Sequence, residues 1–447
     1  MRRPVVLTVA GSDSGGGAGV QADLKTITLA GAFAASVITA ITVQNTQGVE
    51  GVESLPLAVV KGQLEAVLSD MDVRVVKTGM LWNEGVIEVL ADAIQRYGIR
   101  DVVVDPVMVA KGGERLLEKK AQEALIAKLF PLASLVTPNI PEAEVLSGMR
   151  IEGEEEMLEA SRRIRALGPK AVLIKGGHLE GEPVDLLYDG EPHFFRHPRL
   201  PKEEVHGTGC VLASAIAAEL AKGQGLLEAV GAARELVLAG IKGALEVGKG
   251  RAVVDPYALT ERELERGRVL EVLEAAFERL SSEEGIGWLL PEVGTNLGYA
   301  LPLASSPEEV AAFPGRIVRL GEGVGRVASP RFGASRHIAS LILAVMQYDP
   351  GLRSAMNIRY SVKIIEICSG LGLSVKEFDR GKEPPEIKAE EGKSIPWGVR
   401  EAIGEGPVPD VIYDRGDWGK EPMVRILGHD PLEVVEKAIE IHRRRDG

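Results

Sequence analysis

Short runs of apolar and β-branched residues recur near residues 4–10, 35–43, 73–79, 101–105, 133–137 and 170–175, with helical patterning between them. Such alternation predicts a mainly parallel sheet, covered by helices on both faces and joined by right-handed crossovers. In sheets of this kind ligands sit beyond the carboxyl ends of the strands. Gly11, Gln44, Asp105, Asn139 and Lys175 all fall at predicted strand ends, on one edge. The segment Asp185–Phe195 then reads as a hairpin about an Asp-Gly turn.

The most informative stretch for chemistry is His206-Gly207-Thr208-Gly209-Cys210, which opens directly into the alanine-rich run 211–218. A glycine turn entering a helix aims unpaired N–H groups and the positive end of the helix dipole at one point, which suits a phosphoryl group. Upstream, residues 11–19 contain glycines dense enough for the backbone to approach a ligand closely. The Gly17, Gly19, Ala22 spacing fits a dinucleotide fingerprint loosely, but the second strand ends in Gln44 rather than an acid. Gly392-Lys393-Ser394 lacks the earlier glycine and the preceding strand of a Walker loop.

A chain of 447 residues exceeds one core and predicts two to three domains. The net charge of -13 opposes a nucleic-acid surface, so positive charge for anionic substrates has to be concentrated locally. No signal peptide or membrane span is expected, and the two cysteines, Cys210 and Cys368, form neither a disulfide framework nor a cysteine metal site. The expected location is cytoplasmic. Asparagine is scarce, five in all, and with a charged fraction of 26% this fits a thermophilic source. The scarcity singles out Asn139, Asn296 and Asn357 as residues kept for their side chains.

The ordered set Ala10–Gly19, Gln21–Thr26, Thr39–Thr46, Val104–Met108, Thr137–Glu144, Lys175–His178 and His206–Cys210 resembles the ribokinase-like family. Within it, the set is similar to the hydroxymethylpyrimidine/phosphomethylpyrimidine kinases of thiamine biosynthesis, known as ThiD. Cys210 stands where many sugar kinases of the superfamily carry an aspartate base, which points to the pyrimidine branch. The resemblance implies two successive ATP- and Mg2+-dependent phosphorylations of hydroxymethylpyrimidine. It implies an anion hole at Gly207, Thr208 and Gly209, and a pyrimidine pocket of Gly11, Asp23, Gln44, Met80 and Val107. Asp105, Asn139, Glu142, Lys175 and Thr208 would serve ATP, with Asp105 and Glu142 on the metal. Cys210 would lie by the acceptor hydroxyl, either as its base, favoured by the helix N-terminus, or as a small residue packed under the loop. Gln44 offers donor and acceptor to an aminopyrimidine edge. His178 and His206 are expected to be structural or peripheral.

The kinase pattern ends near Asp255-Pro256, and a charged amphipathic helix is predicted over 259–280. Beyond it, Leu289–Ala300, Pro314–Leu320, Ser329–His337, Ala355–Ser361 and Asp410–Gly416 resemble the ThiN-type thiamine-phosphate synthase domain. The expected fold is therefore α/β, a ribokinase-like mainly parallel three-layer sandwich (1–257) followed by a second, smaller α/β domain (258–447). Helices are predicted over 338–347 and 362–369, in a domain too short for an eightfold barrel. Arg316, Arg319, Arg331 and Arg336 lie close in sequence beside Gly333-Ala334-Ser335 and His337, a composition suited to pyrophosphate. The resemblance implies displacement of pyrophosphate from hydroxymethylpyrimidine pyrophosphate by thiazole phosphate. Arg316 and His337 would stabilise the leaving group or move a proton, and Asn296, Arg331, Ser335, Arg336, Asn357 and Arg359 would bind substrate. The partners are then small molecules, namely hydroxymethylpyrimidine, its phosphate and thiazole phosphate, with no nucleic acid or membrane, in a homodimer or higher homo-oligomer. Two other readings stay open: a pyridoxal or sugar kinase, opposed by Gln44 and Cys210, and a second domain that only senses thiamine phosphate. No DNA-binding helix-turn-helix is evident for the latter.

Overall fold

A computed structural model describes residues 3–108, 119–177, 182–197, 200, 205–390 and 392–445. His178 lies outside the described residues. The chain divides into two compact units, Met1–Thr260 and Glu261–Gly447.

The first unit runs β1 (Val5–Asp13), α1 (Gly19–Leu29), β2 (Phe33–Gln44), β3 (Val49–Ser54), α2 (Leu57–Leu68), β4 (Val73–Thr78), α3 (Glu84–Tyr97), β5 (Asp101–Val104), α4 (Lys119–Ala124), β6 (Leu135–Val136), α5 (Ile140–Ser147), α6 (Glu154–Ala166), β7 (Val172–Ile174), β8 (Val184–Tyr188), β9 (Pro192–Arg196), α7 (Thr208–Ala221) and α8 (Leu226–Lys242). Its sheet has the order β3-β2-β1-β4-β5-β6-β7-β8-β9. The six strands β2, β1, β4, β5, β6 and β7 are parallel, and β3, β8 and β9 add antiparallel edges. Strand side chains alternate between two cores: Leu7, Val9, Val102, Val104, Val172 and Ile174 face one, Val6, Val103 and Leu173 the other. The first core is closed by α2, α3, α5 and α6, the second by α1, α7 and α8. These runs are apolar at consecutive positions because both faces are covered. The β8–β9 hairpin turns at Asp189-Gly190, as the sequence suggests.

The second unit opens with α9 (Ala258–Ser281) and continues β10 (Leu297–Ala300), β11 (Val310–Ala312), β12 (Ile317–Leu320), β13 (Gly323–Arg326), β14 (Arg331–Phe332), α10 (Arg336–Met346), β15 (Ser354–Arg359), α11 (Val362–Gly370), β16 (Val375–Glu377), α12 (Pro385–Ala389), α13 (Ser394–Ile403), β17 (Val411–Asp414), β18 (Met423–Gly428) and α14 (Pro431–Arg443). α9 buries Val269, Leu273, Ala276, Phe277 and Leu280, the one-sided spacing of an amphipathic helix packed on a core. The sheet order is β14-β11-β10-β15-β18-β17-β16, antiparallel throughout except for β16–β17. Strand–helix alternation along the chain therefore produces a parallel sheet in the first unit and a mostly antiparallel one in the second.

Candidate functional site

Because β2, β1, β4, β5, β6 and β7 are parallel, their carboxyl ends share one edge, and the residues following them line a cavity of about 1040 Å³. Gly11, Gln44, Met80, Asp105, Val107, Asn139, Glu142 and Lys175 are on its walls with Gly207–Cys210. Most sequence-predicted kinase residues are thus brought together. Asp23 is the exception: it is completely buried, and its carboxylate accepts from Thr8 Oγ1 (2.6 Å), Ser214 Oγ (2.7 Å) and Lys77 Nζ (2.7 Å). It anchors Lys77, a lysine with no exposed surface beneath the cavity, and three of its acceptor positions are taken by these internal partners.

The glycine loops serve the protein's own backbone first. Gly207 has φ +89°, and a side chain there would overlap Gly17 O; Gly19 has φ +55°, and a side chain would overlap Gly11 O. Asp13 stitches residues 13–18 together, its carboxylate accepting the N–H groups of Gly15 (2.8 Å), Gly17 (3.0 Å) and Ala18 (2.7 Å). Burial opposes ionisation of Asp13, but His206 and these N–H groups outweigh it and hold the carboxyl below its ordinary range. Gly209 differs from the other loop glycines, because its missing Cβ would sit 3.2 Å from Lys175 Nζ and 3.6 Å from Asp105 Oδ2.

Facing Gly209, Lys175 Nζ is 3.0 Å from Asp105 Oδ1, which also accepts from Thr137 Oγ1 at 3.1 Å. Asn139 and Glu142 form a reciprocal capping box at the start of α5 with bonds of 2.9 Å each way, so both are first of all helix-start residues. Burial pushes the Glu142 carboxyl up to about 7 despite the pull of Lys175, with Asp105 adding to the rise. Burial lowers the Lys175 ammonium, yet Asp105 and Glu142 overcome this and raise it, so the lysine stays charged. Cys210 behaves otherwise than its helix position suggests. Burial, opposed by Lys77 and reinforced by Asp23 and Asp105, pushes its thiol up to about 11. At that value about one molecule in ten thousand carries a thiolate at neutral pH. His206, expected to be structural or peripheral, lines the cavity between Asp13 and Gln44.

In the second unit the expected residues split into two groups. Asn296 and Asn357 are consumed internally: Asn296 bonds the backbone of Phe313 in both directions at 3.0 Å, and Asn357 accepts from Asn296 N (2.7 Å) while donating to Gly294 O (3.1 Å). They brace the turn before β10 and leave little for a ligand. Arg319 bonds Gly321 O, next to it in its own hairpin, and Arg359 lies over the Trp288 ring. Arg331 and Arg336 are exposed and have no side-chain hydrogen bond or ion pair among the described residues. Ser335 is the residue before the first turn of α10, and its hydroxyl caps nothing.

Arg316 and His337 belong to the second group. Arg316 has φ +69°, a left-handed conformation that costs a non-glycine residue about 1 kcal/mol or more, and it bonds Val293 O. His337 is exposed as a residue, but desolvation of its ring, then the charges of Arg425, Arg316 and Arg380, hold the imidazole down to about 4 against Asp414. Two of those arginines were not foreseen. Arg380 and Arg425 are 6% and 2% exposed and share the fully buried Asp414, with bonds of 2.7 Å from Arg380 Nε and 2.8 Å from Arg425 Nη2. Both guanidiniums lie 5.4 Å from the Phe378 ring centroid, and Arg425 Nη1 is buried without a partner. Three cations and one carboxylate thus act on the His337 imidazole.

A mainly parallel sheet whose carboxyl edge joins a glycine-rich helix start to a lysine–carboxylate cluster defines a small-molecule kinase of the ribokinase-like class. The phosphomethylpyrimidine kinase profile matches residues 13–255, and the thiamine-phosphate synthase ThiN profile residues 272–440. The chain belongs to the phosphomethylpyrimidine kinase family, joined to a ThiN domain. It is similar to the bifunctional thiamine biosynthesis protein ThiDN of Methanocaldococcus jannaschii, 35% identical over 436 residues and 97% of each chain. A hydroxymethylpyrimidine/phosphomethylpyrimidine kinase of Rhizobium meliloti is 51% identical over 57% of this chain and 97% of its own. The ThiED protein of Geobacter sulfurreducens is 53% identical over 58% of this chain, which spans 53% of that protein's length. Among solved structures, an ADP complex of Bacillus subtilis pyridoxal kinase is 36% identical, with a TM-score of 0.55, over 58% of this chain and 99% of its own.

Proposed function

We propose that residues 1–257 phosphorylate hydroxymethylpyrimidine to its phosphate and then its pyrophosphate, and that residues 258–447 couple this product to thiazole phosphate, giving thiamine phosphate and pyrophosphate. The observation that carries the kinase half is the convergence in one cavity of the Gly207–Cys210 helix start, the Asp105–Lys175–Glu142 cluster and the Gln44 amide. A volume of about 1040 Å³ has room for a nucleotide and a small aromatic alcohol together.

Phosphoryl transfer is chiefly positioning and charge stabilisation. The N–H groups of Thr208, Gly209 and Cys210 would receive the oxygens of the moving phosphoryl group, and Lys175 would neutralise the polyphosphate of ATP. In a loose transition state the attacking oxygen bonds late, so little base is needed. The neutral thiol of Cys210 then contacts the acceptor hydroxyl rather than taking its proton as a thiolate. Asp105 and Glu142 fit magnesium: Asp105 Oδ2 accepts no hydrogen bond among the described residues, and this ion takes one or two carboxylates with waters and phosphates. When bound it offsets charge on the transferring group. Among the described residues no three His, Cys, Asp or Glu converge as a cage.

The synthase half is supported by Arg316, Arg380 and Arg425 around His337. Neutral in the free protein, His337 is free to accept a proton as an anion enters and offsets the arginines. We further propose that the protein works in the cytoplasm as a homo-oligomer, the latter tested by light scattering; among the described residues no helix is long and apolar enough to cross a membrane. The kinase assignment is tested by giving the full chain hydroxymethylpyrimidine, ATP and magnesium and following products by mass spectrometry. Monophosphate followed by pyrophosphate is expected. Inactivity on both pyrimidines beside rapid turnover of pyridoxal or a sugar would sink it.

A further inference from the structure

We infer that His206 is a positioning residue for substrate recognition: its imidazole, held between Asp13 and Gln44, sets which way round the Gln44 amide faces the pyrimidine. The inference rests on reading Gln44 as the residue that meets the pyrimidine edge. A ring nitrogen beside an exocyclic amine presents acceptor and donor side by side, and a carboxamide matches that pair in one orientation only. A flip exchanges oxygen and nitrogen and sets donor against donor and acceptor against acceptor.

Two neighbours contact the amide. Gln44 Oε1 is 3.2 Å from Thr42 Oγ1, and Gln44 Nε2 is 3.1 Å from His206 Nε2. Thr42 cannot choose the orientation, because its single proton also has Ser12 O within 2.9 Å and its hydroxyl can donate to the amide or accept from it. His206 can choose. With the proton on Nε2, where Asp13 Oδ2 at 3.6 Å favours it, the ring donates to the amide oxygen; with the proton on Nδ1, Nε2 accepts from the amide nitrogen, so the tautomer of the imidazole sets which end of the amide it holds.

The ring is fixed in place for this task. His206 N–H donates to Ala252 O (2.8 Å) and its carbonyl accepts from Val254 N–H (3.0 Å). Its Cδ2 lies 2.9 Å from where Gly17 would carry a Cβ, so only glycine leaves room for it. Asp13 Oδ2, 3.6 Å from His206 Nε2, already accepts the N–H groups of Gly17 and Ala18. The loop that shapes the anion hole and the side chain that reads the pyrimidine thus meet at one imidazole.

The test is a double-substitution cycle in the full chain: His206→Ala, Gln44→Ala and both together. Specificity constants are measured for hydroxymethylpyrimidine and for the same alcohol lacking the 4-amino group. His206→Ala is expected to lower the preference for the amino compound by about tenfold or more, through KM, with KM for ATP unchanged. In the Gln44→Ala background the same change adds almost nothing. His206→Gln, long enough to meet Gln44, restores part of the preference, whereas the shorter His206→Asn does not and serves if the alanine variant fails to fold. Equal losses in both backgrounds, or a loss confined to kcat with preference intact, overturn the inference. Gln44→Ala with undiminished preference overturns the reading of Gln44 beneath it as well.

Discussion

Replacing Gly209 separates catalysis from folding. It is the second residue of α7, has no positive φ, and its missing Cβ points at Lys175 Nζ (3.2 Å) and Asp105 Oδ2 (3.6 Å). Alanine needs Lys175, a flexible side chain, to give by a few tenths of an ångström, and it removes a glycine from a helix. The helix gains about 0.5–1 kcal/mol from that exchange, worth roughly 2–4 °C in melting temperature. Valine gains less in the helix, but its methyl groups reach about 1.5 Å further and occupy the gap between the N–H groups and the Asp105–Lys175 pair. Losing such a donor geometry costs about 3–4 kcal/mol of transition-state stabilisation, about 100- to 1000-fold in kcat. Steady-state ADP release at saturating substrate, beside thermal unfolding followed by circular dichroism, measures both. The expectation for Gly209→Val is an intact fold with kcat down at least about 100-fold. Turnover within about threefold of the parent would refute the anion-hole reasoning. Gly207→Ala is the contrasting control: φ is +89° and the new methyl overlaps Gly17 O, so loss of stability is expected there.

Asp23→Asn and Asp414→Asn each leave buried cations unmatched, Lys77 in one case and Arg380 with Arg425 in the other, and urea unfolding should show each losing about 3–5 kcal/mol. Glu142 has its carboxyl raised to about 7, so between its ordinary range and pH 7 the folded state holds the proton more tightly and stability falls as pH rises through that window. Glu142→Gln should therefore raise the melting temperature at pH 8 and leave it nearly unchanged at pH 5. Arg316→Ala and His337→Ala should each abolish thiamine phosphate formation while pyrimidine pyrophosphate accumulates; joining at the parental rate by either variant would contradict its role.

Residues at or near strand carboxyl ends were legible in the sequence, because a parallel sheet gathers them at one edge whatever its packing details: Gly11, Gln44, Asp105, Asn139 and Lys175 all line the cavity. Partnerships across long separations were not legible. Asp23 reads as a helix-face charge until β4 brings Lys77 to it, 54 residues away. His206 reads as an appendage to a glycine turn until β2 delivers Gln44, 162 residues distant. The available signal was a lysine on the buried side of the strand Val73–Thr78, whose other charge, Arg74, is exposed, and likewise an arginine inside Met423–Gly428. A charge at a position that must be buried requires a partner or a ligand. Asn296 and Asn357 were singled out by scarcity, which marks need for the side chain but not whether backbone or substrate receives it. The helix N-terminus located Cys210 but not its acidity, since burial, with Asp23 and Asp105, outweighs the pull of Lys77 there.

The central claim is that one chain carries a pyrimidine from free alcohol to thiamine phosphate. The direct measurement gives the full chain hydroxymethylpyrimidine, thiazole phosphate, ATP and magnesium, and quantifies ADP, pyrophosphate and thiamine phosphate together. Each thiamine phosphate should appear with two ADP and one pyrophosphate, since two phosphorylations precede one displacement. Consumption of two ATP with pyrimidine pyrophosphate as the end product, and thiamine phosphate bound when added but never formed, would contradict the account and leave the second unit as a sensor.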